Sequence, residues 1–165
     1  MWGGFYINLI HWRFRWTGYT KPSGMMKHSE INWAKFNALS KQLVGKPYEF
    51  GAETNLKDPD TSHIKALDCS ELVEYLFAQI FIIVPDGSAN QFKVCRPIVG
   101  EPQIGDLGFK WHPDTHEVHH VGIYLKDTVI EAKGKKWGVV LTSKADFEDS
   151  PDWAMWKRLN QIIDA

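Results

Sequence analysis

Two cysteines, Cys69 and Cys95, are all that the 165 residues contain. That excludes a disulfide framework and a four-thiolate zinc site. No apolar run approaches the roughly 18 residues of a spanning helix, which excludes a helical membrane anchor within this sequence. Neither sign of charge dominates: nineteen basic and twenty acidic side chains leave a net charge of −1. A whole-domain electrostatic grip on nucleic acid is therefore not expected. Repeats and low-complexity stretches are missing too. So is a recognisable export signal, because Arg13 and Arg15 interrupt the apolar stretch that a leader needs and no small-residue cleavage site follows. What is present is a globular balance, 44% hydrophobic and 24% charged, in a chain long enough for one domain with a genuine core.

Residues 1–27 differ from the rest. They hold four cations and no acid, together with Trp2, Phe5, Tyr6, Trp12, Phe14, Trp16 and Tyr19. Pro22 and Gly24 mark the boundary, so the chain divides into an aromatic, basic extension over 1–27 and one domain over 28–165. The extension reads either as an accessory segment or as an arm that settles on a membrane surface or an anionic wall polymer.

In the body, Ser29 is the expected N-cap of a helix over 30–44, ended by Gly45 and Pro47. Residues 51–67 read as a loop. A second helix is expected over 70–80, with Asp68 in the capping position and Leu72, Val73, Leu76, Phe77 and Ile80 at helical spacing. After Pro85 and Gly87 come β-forming runs at 107–110, 118–125, 128–132 and 138–141, expected to be consecutive antiparallel strands. The tail carrying Trp153, Trp156 and Leu159 makes a short helix or strand. Helices first and a strand meander afterwards is an α+β order.

Cys69 opens the second helix, where unpaired N–H groups favour a thiolate, while Asp68 and Glu71 oppose it. An inert, buried thiol is the competing reading. His112, His116, His119 and His120 crowd one stretch, but their spacing matches no standard zinc site, so neither a metal nor another cofactor is expected. On its strand His120 shares a face with Gly122 and Tyr124, and His119 takes the other. If the turn that follows has an even number of residues, Glu131 falls on the His120 face. It is then either an orienting acid or a solvent-facing charge, and more exposed than the acid of a buried triad. Thiol, imidazole and orienting acid are the parts of an activated nucleophile.

The local sequences resemble the NlpC family of papain-like cell-wall cysteine peptidases. Asp68-Cys69-Ser70-Glu71-Leu72-Val73 looks like its nucleophile motif, with Glu71 where glycine is usual. Gly45-Lys46-Pro47-Tyr48-Glu49-Phe50-Gly51 is similar to its upstream segment. Pro85, Ser88 and Gln91 match the spaced residues after its catalytic helix. Gly105-Asp106-Leu107 matches its turn, and His120-Val121-Gly122-Ile123-Tyr124-Leu125 is its second signature. The third catalytic position, often histidine, is here Glu131.

The resemblance implies a helical N-terminal part, including a catalytic helix, packed on an antiparallel sheet. It implies hydrolysis of bacterial peptidoglycan stem peptides, most often between γ-D-glutamate and the diamino acid. Cys69 would be the nucleophile, His120 the base and Glu131 its holder, with the Cys69 N–H and the Tyr48 hydroxyl as oxyanion donors. Ser70, Ser88 and Gln91 would line the substrate site. Glu71 would narrow or acidify the groove, and the insertion between Phe50 and Asp68 would wall it. An amidase cutting between muramic acid and alanine, and a non-catalytic wall-binding or virion protein, are the alternatives. Permuted acyltransferases carry histidine before cysteine, the reverse of this order. A wall-directed chain without an export signal reads as a phage lysin, a virion-borne hydrolase or a delivered effector.

Overall fold

The first helix starts three residues later than its pattern predicts. In the computed structural model, which describes residues 24–164, β1 (Met26–Lys27) leads into a 3-10 turn over His28–Glu30, and Ser29 lies inside that turn. Ile31 is extended, so capping passes to Asn32, whose side chain accepts from the Lys35 N–H at 3.0 Å. α1 (Trp33–Leu43) then buries Phe36, Leu39 and Leu43. Trp33 is braced by its indole N–H, which donates to the His28 carbonyl. Its ring occupies the space above Gly105, where a Cβ would lie 2.2 Å from it. Gly105 also has φ +88°, so the turn needs glycine on both counts.

α2 (Cys69–Ala78) begins where expected. Asp68 caps it, with Oδ1 accepting from the Glu71 N–H at 2.9 Å. α3 (Ser88–Lys93) and β2 (Cys95–Pro97) are too short to show a period, and the sequence pattern misses both. β3 (Leu107–Trp111), β4 (Val118–Tyr124), β5 (Thr128–Ala132) and β6 (Val139–Ser143) form the expected antiparallel meander. α4 (Lys144–Glu148) follows, then β7 (Trp153–Leu159) and β8 (Ile162–Ile163).

The tail is thus a strand. β7 inserts between β2 and β3, giving the six-stranded order β2-β7-β3-β4-β5-β6. A buried ion pair fixes it there: the Arg158 guanidinium grips Asp106 in the Gly105 turn with bonds of 2.7 and 2.8 Å. Met26 and Lys27, the end of the segment read as an extension, pair in parallel with Ile162 and Ile163 and so belong with the body. The aromatic arm over 1–23 lies outside the described residues.

Alternation along β4 divides the apolar residues between two layers. Val121 and Ile123 face α1 and α2, joining Phe36, Leu43, Leu72, Leu76, Phe77 and Phe109 in the main core. Tyr124 faces the other side, in a smaller cluster with Val129, Phe147 and Trp156. Gly122 belongs to that second face. A Cβ there would lie 2.7 Å from Val129 of β5 and 2.9 Å from Phe147 of α4, so those two side chains fill the space beside His120. No described helix is long and apolar enough to cross a membrane.

Candidate active site

Cys69 is the first residue of α2, so its backbone N–H lies outside the helical hydrogen-bond ladder. Its side chain opens into a cleft of about 280 Å³ that Tyr48, Ser70, Ser88 and His119 also line. Cys95, by contrast, is buried in β2, and burial pushes its thiol up to about 12. Only Cys69 is placed to act as a thiolate.

A tight hairpin brings the acid to the imidazole. The Leu125 N–H meets the Thr128 carbonyl around a two-residue turn, Lys126-Asp127, in which both residues have positive φ. The even turn pairs Ile123 with Ile130 and puts Glu131 on the His120 face. His120 Nε2 lies 2.7 Å from Glu131 Oε2. The Cys69 thiol is near enough to the ring to raise its pKa alongside Glu131.

Glu131 is 1% exposed, which corrects the expectation of an exposed pair. Its second oxygen accepts from the Thr142 hydroxyl at 2.7 Å, and Lys133 Nζ stands 4.0 Å away. Burial by itself would raise this carboxyl. The bond and charge of His120, the Thr142 hydroxyl and the Lys110 charge outweigh it and hold the group below its ordinary value. Burial would likewise lower His120, but the nearby Cys69 and the bonded Glu131 lift it to about 9. The imidazole is therefore protonated at neutral pH, between an anionic carboxylate and a thiol.

Thr142 was not legible as a site residue. It sits on β6 opposite Val129, two residues from the partner of Glu131 and on the same face, a relation visible only once strand register is known. His119 lies across β4 from His120, as strand alternation predicts; it lines the cleft, and its Nε2 is 3.1 Å from Asp152.

Tyr48 is half-buried, and burial, together with the nearby Cys69 and Asp68, raises its phenol, which stays a donor. Ser70 and Ser88 line the cleft, although the Ser70 hydroxyl is turned to Asp68 at 3.1 Å. Gln91 does not reach the cleft. It is wholly buried, and its amide donates to the Ser70 and Pro85 carbonyls at 3.0 Å each, tying α3 to the start of α2.

Glu71 also departs from its expected role. It is buried and turned away from the groove, where Oε1 accepts from the Thr54 N–H at 2.5 Å and the Thr54 hydroxyl at 2.7 Å. One helical turn on, the Tyr75 hydroxyl donates to the Asp58 carbonyl, and a turn further the Gln79 amide donates to the Leu56 carbonyl. Residues at i, i+4 and i+8 thus strap the insertion along α2. Its first residue, Gly51, and Phe50 just before it wall the cleft, with Asp68 Oδ2 accepting from the Gly51 N–H at 2.9 Å. A larger hollow of about 480 Å³ lies under the rest of the loop, lined by Glu49, Glu53, Asp58, Asp60 and His63, away from the thiol. If the strap is sound, Glu71→Ala and Thr54→Ala should be coupled by about 1–3 kcal/mol in a urea-unfolding double-mutant cycle. Additive losses would disprove it.

Among the described residues no three His, Cys, Asp or Glu side chains converge as a metal set would. His112 stacks near His119, with ring centroids 4.8 Å apart, and His116 lies on Trp111 at 4.5 Å.

The NlpC/P60 family model matches residues 45–156. A probable endopeptidase p60 of Listeria grayi is 34% identical over 101 residues, 59% of this chain and 18% of that protein. An NlpC/P60 family protein from Bacillus cereus superposes with a TM-score of 0.61 at 20% identity, over 77% of this chain and 40% of its own. The peptidoglycan hydrolase RipB of Mycobacterium tuberculosis gives a TM-score of 0.59 at 25% identity, over 76% of this chain and 63% of its own. This chain spans less than a fifth of the Listeria protein and less than half of the Bacillus one. The expected α+β arrangement, a catalytic-type helix packed on an antiparallel sheet, is the fold these structures share.

Proposed function

Because the chain belongs to the NlpC/P60 family, we propose that it is a cysteine peptidase cutting peptidoglycan stem peptides, between γ-D-glutamate and the diamino acid. The observation that carries this reading is the His120 imidazole held at 2.7 Å by a buried carboxylate, with its charge coupled to the thiol that opens α2. The names of its relatives, an endopeptidase and a peptidoglycan hydrolase, support the substrate class.

The Cys69 thiolate attacks the scissile carbonyl carbon and a C–S bond forms. The oxyanion is met by the Cys69 backbone N–H and the Tyr48 hydroxyl. The His120 imidazolium gives its proton to the departing nitrogen as the C–N bond breaks. Water then attacks the thioester with neutral His120 as base, which releases the acid and restores the pair. Glu131 holds the ring and supports its positive charge throughout.

Digestion of purified peptidoglycan, with product masses, tests the reading directly. The expected new amino terminus is on the diamino acid, and Cys69→Ala should give none. A new terminus on alanine freed from muramic acid would make the protein an amidase. An intact wall after exposure to the wild type would leave a wall-binding protein.

A further inference from the structure

Trp137 is the one tryptophan among the described residues that stands out in solvent, at 56% exposed. The others pack. It sits in the β5–β6 turn, Lys133-Gly134-Lys135-Lys136-Trp137, where all three lysines are exposed as well. Lys136 Nζ lies 4.6 Å from the indole centroid and Lys133 Nζ 5.8 Å from it, so the ring and the cations form one surface. Among the described residues no carboxylate stands within ion-pair distance of Lys135 or Lys136. That is unlike Lys144, which pairs with Glu101 and Glu148. An exposed large aromatic beside exposed charges of one sign, two of them unpaired among the described residues, marks an interaction surface.

Its position says what it meets. Lys133 reaches back to Glu131 at 4.0 Å, so the turn begins two residues from the candidate active site. On the other side, Gly138 lies so close to the Lys46 carbonyl that a Cβ would come within 2.4 Å of it. The Gly45 N–H and Lys46 carbonyl bracket Val139, and Tyr48, two residues beyond Lys46, lines the cleft. The basic turn is therefore joined by backbone contacts to the segment that carries Tyr48 into the cleft.

We propose that the β5–β6 turn is a docking surface for the glycan strand of intact peptidoglycan, with Trp137 against the sugar rings and Lys135 and Lys136 on the free carboxylates of the neighbouring stem peptides it carries. The inference rests on the proposed wall peptidase activity and adds to it: the preferred substrate is a stem peptide still attached to its glycan. Aromatic rings offer pyranose faces a flat apolar contact, and lysines complement an acidic polymer without needing fixed geometry. A peptide held in the cleft keeps its own glycan within reach of this turn, which a bilayer surface does not.

The test compares two substrates of the same bond, a free synthetic stem peptide and the same stem on a glycan oligomer. For the triple variant Trp137→Ala, Lys135→Ala, Lys136→Ala, KM on the glycan-linked substrate should rise roughly five- to tenfold, about 1 to 1.4 kcal/mol. Both constants on the free peptide should stay at wild-type values. The wild-type preference should shrink as salt rises from low to physiological strength, and the variant's should not. Equal changes on both substrates, or none on either, would overturn the docking surface. So would loss of binding to phosphatidylglycerol vesicles without any loss on the glycan. If the wild type fails to cut even the free peptide, the peptidase reading falls. Co-sedimentation of Cys69→Ala protein with sacculi, with and without the triple substitution, then decides the surface by itself: a weaker pellet with the substitutions supports it, and an equal one refutes it.

Discussion

Cys69→Ala is expected to stop turnover, on the order of a million-fold in kcat, the scale on which a hydrolase falls when its nucleophile is removed. Iodoacetamide should label Cys69 and abolish activity in step, while Cys95→Ala keeps both its turnover and its pH profile. The thiol of Cys95, held at about 12 by burial, has almost no thiolate to alkylate. The same substitution carries a second readout. His120 stands at about 9 against the cost of burial because the nearby Cys69 and the bonded Glu131 both favour its charged form. Without the thiol, its pKa should fall toward the ordinary histidine value of about 6.5, measurable by NMR titration of the ring protons.

The sign for the intact protein follows from the raised value. The imidazolium is fully formed below the unfolded value near 6.5, and its stabilising contribution is lost as pH rises through about 9. Activity should fall on the same limb, since the imidazolium supplies the leaving group with its proton. A Cys69→Ala protein that still cleaves peptidoglycan would remove the thiol mechanism altogether.

The second large effect concerns Glu131. For an exposed orienting acid a ten- to hundredfold loss would be reasonable, but this carboxylate is 1% exposed and bonded on both oxygens. Glu131→Ala should therefore lower kcat roughly a thousandfold, short of the ten-thousandfold seen when the best-known serine triad loses its acid, and leave KM nearly unchanged. Glu131→Gln should retain more. Its carbonyl can accept from His120 and its amide can donate to the Thr142 oxygen, so the ring stays placed while the charge is lost.

That lost charge has its own signature. The descending pH limb should move below about 9 in Glu131→Gln, because the imidazolium no longer faces an anion. Thr142→Val, which frees one carboxylate oxygen without touching the charge, should cost up to about tenfold. Thermal melts of each variant separate these effects from unfolding. Wild-type turnover by a folded Glu131→Ala protein would take the third role away from this residue.

Much of this site could be read from the sequence because its parts are local. Asp68 caps the helix that Cys69 opens, and cap and nucleophile are adjacent residues. The face shared by His120 and Glu131 needed only strand alternation and the parity of one hairpin turn. What escaped depends on partners far along the chain. The space beside Gly122 is filled by Phe147, twenty-five residues on, and no local pattern says which side chain will arrive there. The burial of Glu131 follows from Thr142 and the layer around Phe147, so composition near residue 131 could not report it. Gln91 carries a motif position but is committed to two backbone carbonyls, a structural duty that spacing does not distinguish from substrate contact. Ser29 looks like a cap in sequence, yet the 3-10 turn at His28–Glu30 uses it up and hands the role to Asn32. Glu71 reads as an intruder where glycine is usual, and its purpose appears only when Thr54 is seen against it.

The pairing of β1 with β8 has a mechanical side. These strands run parallel, with Met26 opposite Ile162 and the Met26 N–H bonded to the Gln161 carbonyl at 2.8 Å. Whatever is joined ahead of Gly24 and whatever is joined beyond residue 164 thus attach at neighbouring strands. In a parallel pair the start of one strand and the end of the other point opposite ways. Tension between two such attachments would load the pair in shear, so that its hydrogen bonds resist together and are not unzipped in turn. The clasp joins edge to edge at a two-stranded sheet of its own, separate from the six strands that carry His120 and Glu131. A pull on the ends would therefore be met first by β1 and β8, before it reached the strands that set the catalytic geometry.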